Sequence, residues 1–308
     1  MAFPVTSGHP QYAGNFIPEL WAGKLIESFY DATVLAQISN TEYEGMIKAH
    51  GDTVHIRTTP TLTIRDYTKG MTLQVERPDS TPLELLIDKG KYWQAVSDDV
   101  DKVQSDVNLM DVWSKDAAEQ MKIEIDQDVL TNMITDISAL NSGATAGAKT
   151  ASFNLGTTGS PLTVTKDGAG GTTSITELIV DLGTVLDEAN CPESDRYLVL
   201  PAKAVGLIKK SELKDASLSG DGSSIMRNGR VGMIDRFTIY MSHNLYTASA
   251  KTNIIAGTKR GLTFASQLTN VETLRAESTF GTLIRGLNVY GYKVVKPEAI
   301  ATAVISFS

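Results

Sequence analysis

Few residues in this chain stand at a spacing that could do chemistry, and each candidate has a specific defect. Asp98, Asp99, Asp101 and Asp106 gather carboxylates of the kind calcium takes, but the glycine and terminal glutamate of an EF-hand loop are missing. They read as helix-capping and solvated acids. The segment GATAGAKT, Gly143 to Thr150, resembles a phosphate-binding loop. That motif needs four residues between its glycines and then Gly-Lys-Ser/Thr, whereas Gly143 and Gly147 enclose three and Ala148 precedes Lys149. It also follows a helical pattern where the motif follows a strand, so nucleotide binding is rejected. Ser211 and Lys214 have the Ser-x-x-Lys spacing of penicillin-binding nucleophiles, without the companion SDN and KTG strings. The four histidines (His9, His50, His55, His243) show no HxH, HxxxH or HExxH pattern, and the single cysteine, Cys191, excludes an internal disulfide framework and any multi-cysteine metal site. No catalytic residue, cofactor or metal is expected.

With chemistry thin, the elements themselves carry the information. A chain of 308 residues, 42% hydrophobic, can bury a sizeable core and divide into two subdomains. Its net charge of −8 is opposite to that of a protein gripping a phosphate backbone. The opening MAFPVTSGHPQYAGNF has no basic stretch followed by an apolar one, so no signal peptide is expected. No apolar run approaches the roughly 20 residues a membrane crossing needs, and no membrane partner is expected.

Within the longest run without Gly or Pro, the stretch from Asp106 to Leu140 predicts one long helix. Met110, Trp113, Ala117, Met121, Ile125, Val129, Met133 and Ile137 fall three or four apart on one slowly drifting face. Such a helix would be about 50 Å long, a spine crossing an elongated subunit. Asp106 is the expected N-cap and Gly143 the expected stop. Ahead of it, residues 1–16 form an extended arm and the next segment an amphipathic helix carrying Trp21. From 51 to 96 the alternation of Val54, Ile56, Leu62 and Ile64 against Leu83, Leu85 and Ile87 predicts a long hairpin, with turns at Lys69-Gly70 and Arg77-Pro78-Asp79-Ser80. This ribbon is dense in charge and lacks a core of its own, so it must lie on something, and a second copy of the chain is the natural candidate. Residues 141–173 are rich in Gly, Ser and Thr and predict a flexible insertion or a small β excursion. Beyond them Ser174 and Glu177 suggest a capping box, and helices mixed with strands to the end give an α+β class.

Four segments, FIPELWAGKLIESFYDATVLAQISNTEYEG, GDTVHIRTTPTLTIRDYTKG, LLIDKGKYWQAVSDDVDKVQSD and the closing VYGYKVVKPEAIATAVISFS, resemble the major capsid proteins of tailed bacteriophages, with the Hong Kong ninety-seven fold. The resemblance covers nearly the whole chain, least so 141–173. It implies an N-terminal arm (1–50), an extended loop (51–96), a peripheral domain with the spine helix (97–140), the insertion (141–173), an axial domain (174–285) and C-terminal strands returning to the peripheral domain (286–308). It further implies hexamers and pentamers closing into an icosahedral shell around double-stranded DNA, without sequence-specific binding. A separate scaffolding protein and a portal are the implied partners, with a decoration protein as a further one. Cross-linking through Lys69 is not expected. Candidate intersubunit contacts are Phe16 and Trp21 on the arm and Arg65, Asp66, Tyr67, Lys69 and Arg77 around the ribbon tip. The rival readings are an encapsulin-type compartment shell and a soluble α+β enzyme.

Overall fold

The computed structural model describes residues 33–43, 53–58, 60, 62–80, 82–99, 109–211, 232–276 and 280–307. Phe16, Trp21, most of the arm, the expected cap Asp106 and Lys214 lie outside them.

A short helix α1 (Leu35–Ile38) leads into strand β1 (Thr53–Arg57), which pairs antiparallel with β2 (Pro82–Leu86) as the base of the ribbon. Strand β3 (Lys89–Asp98) follows, then the spine helix α2 (Leu109–Asn132). Beyond the spine come β4 (Leu162–Thr165), β5 (Thr173–Ser174), helix α3 (Ile175–Glu188), β6 (Arg196–Leu200) and helix α4 (Ala202–Lys210). The remaining strands are β7 (Met233–Ile234), β8 (Phe237–Met241), β9 (Thr247–Ala248), β10 (Lys251–Thr258), β11 (Leu262–Arg275), β12 (Gly281–Val294) and β13 (Ile300–Phe307).

Besides the two-stranded ribbon base, these pairings make two further sheets among the described residues. The larger has the order β5-β4-β13-β10-β6-β8-β7, with β9 against the start of β10; the smaller is the antiparallel trio β11-β12-β3. In β6 and β10, alternate residues serve different cores. Leu198, Leu200, Ile254 and Ala256 meet α3 and α4 on one face of the large sheet. Tyr197, Val199 and Ile255 meet the C-terminal half of α2, α1 and the ends of β11 and β12 on the other.

Several expectations are corrected. The spine ends at Asn132, not Leu140: a 3-10 turn (Met133–Asp136) follows and Ile137 is extended. Local bonds to the corner before β13 prevail there, with Ser138 N–H donating to the Pro297 carbonyl and the Asn141 amide donating to the carbonyls of Glu298 and Ile300. Only the C-terminal half of the apolar stripe (Ile125, Val129, Met133) is buried, while Trp113 stays exposed. The second limb of the ribbon stops at Leu86, because Lys89–Asp98 pairs along β12 instead. Of the two forms expected for residues 141–173, the structure has the β excursion: β4 and β5 extend the large sheet, and the Glu188 carboxylate accepts from the backbone of the loop before them. The last strand, β13, does not return to the spine-side sheet but lies between β10 and β4, whereas β11, inside the span assigned to the axial domain, leaves for the small sheet. Ser174 makes no capping box, since its hydroxyl donates to the Lys166 carbonyl.

The ribbon base crosses β12 at close range. A Cβ built on Gly291 would stand 2.2 Å from the Leu86 carbonyl oxygen, and only a residue without a side chain permits that approach. Gly291→Ala should therefore destabilise the subunit by about 1–3 kcal/mol, as overpacking against a backbone does. Urea denaturation of the unassembled protein measures this.

Candidate intersubunit surfaces

The ribbon tip reverses at Lys69-Gly70, where Met71 N–H donates to the Thr68 carbonyl and Gly70 has φ +91°. That positive φ is what the third position of a type II turn requires. Arg65 and Glu76 join the two limbs by an ion pair, and Thr63 N–H donates to the same carboxylate. The Arg65 guanidinium, then the Thr63 amide, hold the Glu76 carboxyl below its ordinary range. Asp66, Tyr67, Lys69 and Arg77 are all exposed, as is every described side chain from Leu62 to Asp79. The ribbon residues singled out from the sequence thus lie, exposed, on the two limbs and the turn of the ribbon.

Sequence reasoning missed what lies between the charges. Leu62 and Ile64 on one limb, and Leu73 and Val75 on the other, do not point into a core of their own chain; Ile64 is 91% exposed and Val75 94%. Their alternation along each limb is the same as that of a strand facing its own core, so it gives no signal of this exposure. A second apolar surface lies on the small sheet. The alternation of β3 turns Lys89, Lys91 and Trp93 one way and Tyr92, Gln94 and Val96 the other. Across β12 and β11, Tyr92 registers with Leu287 and Asn270, and Val96 with Leu283 and Leu274. Between these rows Arg285 pairs with Glu272, over a shallow groove of about 300 Å³ lined by Tyr92, Gln94, Asn270, Glu272, Arg285 and Leu287.

The opposite face of that sheet holds the spine. Lys91 meets Glu124, Lys89 meets Asp128 and Lys293 meets Asp136, at 3.5, 3.1 and 3.1 Å. Asp128 also accepts from Tyr290 and from the Asn132 amide. Burial works against the Lys89 charge, but Tyr292 and Asp128 outweigh it and raise its pKa. Helical acids four apart were legible; their sheet lysines were not.

The other sequence candidates have structural roles. The loop that resembled a phosphate site does cradle an anion, the chain's own Glu188, which accepts from Lys149 N–H, Thr150 N–H and the Thr150 hydroxyl. The Ser211 hydroxyl donates to the Ile208 carbonyl at the end of α4. Asp99 pairs with Arg275.

One buried carboxylate, unmarked in the sequence, fastens three segments. Asp126 in mid-spine is 1% exposed; its Oδ1 accepts from Val34 N–H and Leu35 N–H, and its Oδ2 from the Asn244 amide. Desolvation raises its pKa against the opposing pull of those bonds, Asn244 first.

A ribbon reaching beyond its own core, a spine laid on a small sheet and a second sheet shared by two cores make a subunit built to be completed by neighbours. The sequence profile described as phage capsid protein matches residues 83–303, so the chain belongs to the phage capsid protein family. Among solved structures it is similar to a chain of Mycobacterium phage Che8, at 30% identity over 94% of this chain and 97% of that one, TM-score 0.76. It is also similar to the capsid of cyanophage P-SCSP1u (15% identity, 95% and 93% covered, TM-score 0.70) and that of Myoviridae phage XM1 (13%, 94% and 99%, TM-score 0.61). No curated protein matches. The fold is that of a tailed-phage major capsid protein of the Hong Kong ninety-seven kind, and the chain is a structural protein of the icosahedral capsid of the virion. No described helix is long and apolar enough to cross a membrane.

Replacing Asp126 separates geometry from charge. In Asp126→Asn the side-chain oxygen still accepts from Val34 and Leu35, and a flip of Asn244 keeps the third bond. Asp126→Ala leaves those donors unpaired and should cost about 3 kcal/mol. The raised pKa favours the protonated acid in the folded state, an advantage present below the ordinary carboxylate pKa and lost as pH rises through the folded value. The asparagine variant should therefore gain stability relative to the parent as pH rises from 3 to 7, read by denaturation midpoints across that range. The opposite slope would contradict the assignment.

Proposed function

We propose that the chain assembles as hexamers and pentamers into the closed shell that encloses a tailed phage's double-stranded DNA, with each ribbon lying over a neighbouring copy. The observation that carries this reading is the ribbon itself: from Leu62 to Asp79 no described side chain is buried, yet Leu62, Ile64, Leu73 and Val75 are apolar. An isolated two-stranded ribbon of this kind is marginal in water, and a partner surface completes it. Arg65, Asp66, Tyr67, Lys69 and Arg77, with Phe16 and Trp21 of the arm, are its contact residues, the charges setting register and partner choice more than affinity.

In this reading the helix-covered large sheet is the axial part of the subunit, and the small sheet with its spine the peripheral part. The net charge of −8 suits a wall that contains DNA without holding it. A separate scaffolding protein and a portal guide closure in the host bacterial cytoplasm, and the outer surface is available to a decoration protein. The work of the subunit is mechanical, and the reading includes no catalytic role.

Negative-stain microscopy with light scattering on the purified protein, with and without a coexpressed scaffolding partner, should show closed shells or capsomer rings. A small oligomer under both conditions would sink the reading, and particles lacking DNA and portal in infected cells would favour a cargo compartment. The double variant Ile64→Glu and Val75→Glu should leave the subunit's denaturation midpoint unchanged, because neither side chain touches its own core, while abolishing assembly.

A further inference from the structure

We propose that the ribbon is a two-state element: open in the free subunit, it closes into a continuous antiparallel hairpin when it lies on a second copy, and only the closed form presents one united apolar face. The inference rests on the shell reading and specifies the form in which the ribbon makes its contact.

The two ends of the ribbon are already in step. At the base Arg57 stands opposite Pro82, and at the tip Met71 N–H donates to the Thr68 carbonyl. The same number of residues lies between these points on each limb, so the register of the base runs through to the turn. The limbs themselves are apart. Residues 62–68 and 71–80 carry no strand pairing, and a cavity of about 510 Å³ is lined from both limbs, by Leu62, Ile64, Tyr67, Met71, Leu73 and Gln74 among others. The Glu76 carboxylate bridges the limbs in place of a ladder, accepting from Thr63 N–H and from the Arg65 guanidinium.

The turn supplies the reason. Gly70 has φ +91° while Lys69 before it keeps a negative φ, the type II arrangement. Type II turns splay the strands they join, because their twist does not match the right-handed twist of a hairpin; the primed turns do match it. Closing needs a type I′ turn, with Lys69 also at positive φ, which is uncommon for a residue with a Cβ. The free subunit keeps the open form, since an isolated two-stranded ribbon gains too little to offset that turn.

The register defines the closed form. With Thr68 and Met71 as the hydrogen-bonded pair beside the turn, alternation makes Asp66 with Leu73, Ile64 with Val75 and Leu62 with Arg77 the further hydrogen-bonded pairs. Pro60 and Pro78 both lie outside this stretch. Leu62, Ile64, Leu73 and Val75 then share one face, and Thr63, Arg65, Tyr67, Thr72, Gln74 and Glu76 the other. A second copy that buries the apolar face offsets the cost of the turn, so closure and contact come together.

Position 69 can be set either way. Lys69→Pro holds a negative φ and locks the type II turn, Lys69→Asn creates the Asn-Gly pair that favours type I′, and Lys69→Gln removes the charge alone. All three should fold as the parent does; Lys69→Gln and Lys69→Asn should form shells, and Lys69→Pro should form none. Shells from Lys69→Pro equal in yield to those of Lys69→Gln would overturn the proposal and leave the shell reading intact; a parent chain that never forms shells would end both. Amide-resolved hydrogen exchange on the unsubstituted protein decides independently of any variant. The amides of Leu62, Ile64, Asp66, Leu73, Val75 and Arg77 point across the closed ladder and should exchange about tenfold or more slowly in shells than in unassembled protein. Equal rates in the two states would overturn the proposal.

Discussion

Everything in this subunit depends on two strands being apolar on both faces. Within β6 every residue from Arg196 to Leu200 is buried, and in β10 so is every residue from Ile254 to Thr258. A strand can satisfy that demand only if a core stands on each side of the sheet. Here α3 and α4 supply one, and the spine with the small sheet supplies the other. Neither core can be removed without exposing half of the wall that serves the other, so the two lobes hold together though they look separable in sequence. The one charge admitted to the wall shows how strict it is. The Arg196 guanidinium is fully buried and donates to the carbonyls of Pro192, Gly183 and Cys191 and to the Asp187 carboxylate. Burial pushes the Asp187 carboxyl up, but Arg236 and Arg196 outweigh it and leave it below the ordinary range.

The polar contacts around this wall position more than they hold. Lys91–Glu124 and Lys89–Asp128 on the spine, and Lys293–Asp136 on the turn after it, stand half in water, where such pairs contribute about 0–1 kcal/mol each. Their value is directional: they fix the rotation of a helix whose upper half has no core beneath it. Asp126 works differently, because it is buried and its charge is costly. Three donors from α1 and Asn244 oppose that cost, and the arm's entry point is thereby set against the spine. Dispersion and apolar burial stabilise the subunit; the carboxylates decide where its appendages leave it.

That division explains what could be read from sequence. Period-two and period-3.6 patterns report burial along a single element, so the spine and the ribbon base were visible. Partnership between distant elements leaves no such mark. Nothing in LLIDKGKYWQAV says that the hairpin stops at Leu86 and that Lys89 begins a different sheet, because both strands alternate. Nothing in ATAVISF says that the last strand lies beside β10. The end of the spine was misjudged because Ile134 and Ile137 kept helical spacing while Ser138 and Asn141 found carbonyl and amide partners at the 297–300 corner. Of the exposed ribbon, the charged tip was legible from its turn residues. The exposed Ile64 and Val75 were not, since alternation cannot distinguish a face turned to its own core from one turned to a neighbour's.

A ribbon of that kind poses a problem for the free subunit, which must keep apolar strands in water without joining the wrong partner. The chain places its charges accordingly: Arg65, Asp66, Lys69, Glu76, Arg77 and Asp79 surround the apolar positions on the ribbon, as gatekeepers that make random strand association electrostatically unfavourable. On the small sheet, too, a charge pair, Arg285–Glu272, is set between the two apolar rows. Mixed charge on a surface admits few alignments with another surface, while apolar burial rewards them. Each contact can then be modest. A surface that joins a different surface on the next copy closes into a ring when the rotation allows, and many modest contacts per subunit let misplaced copies leave before closure makes the assembly stable.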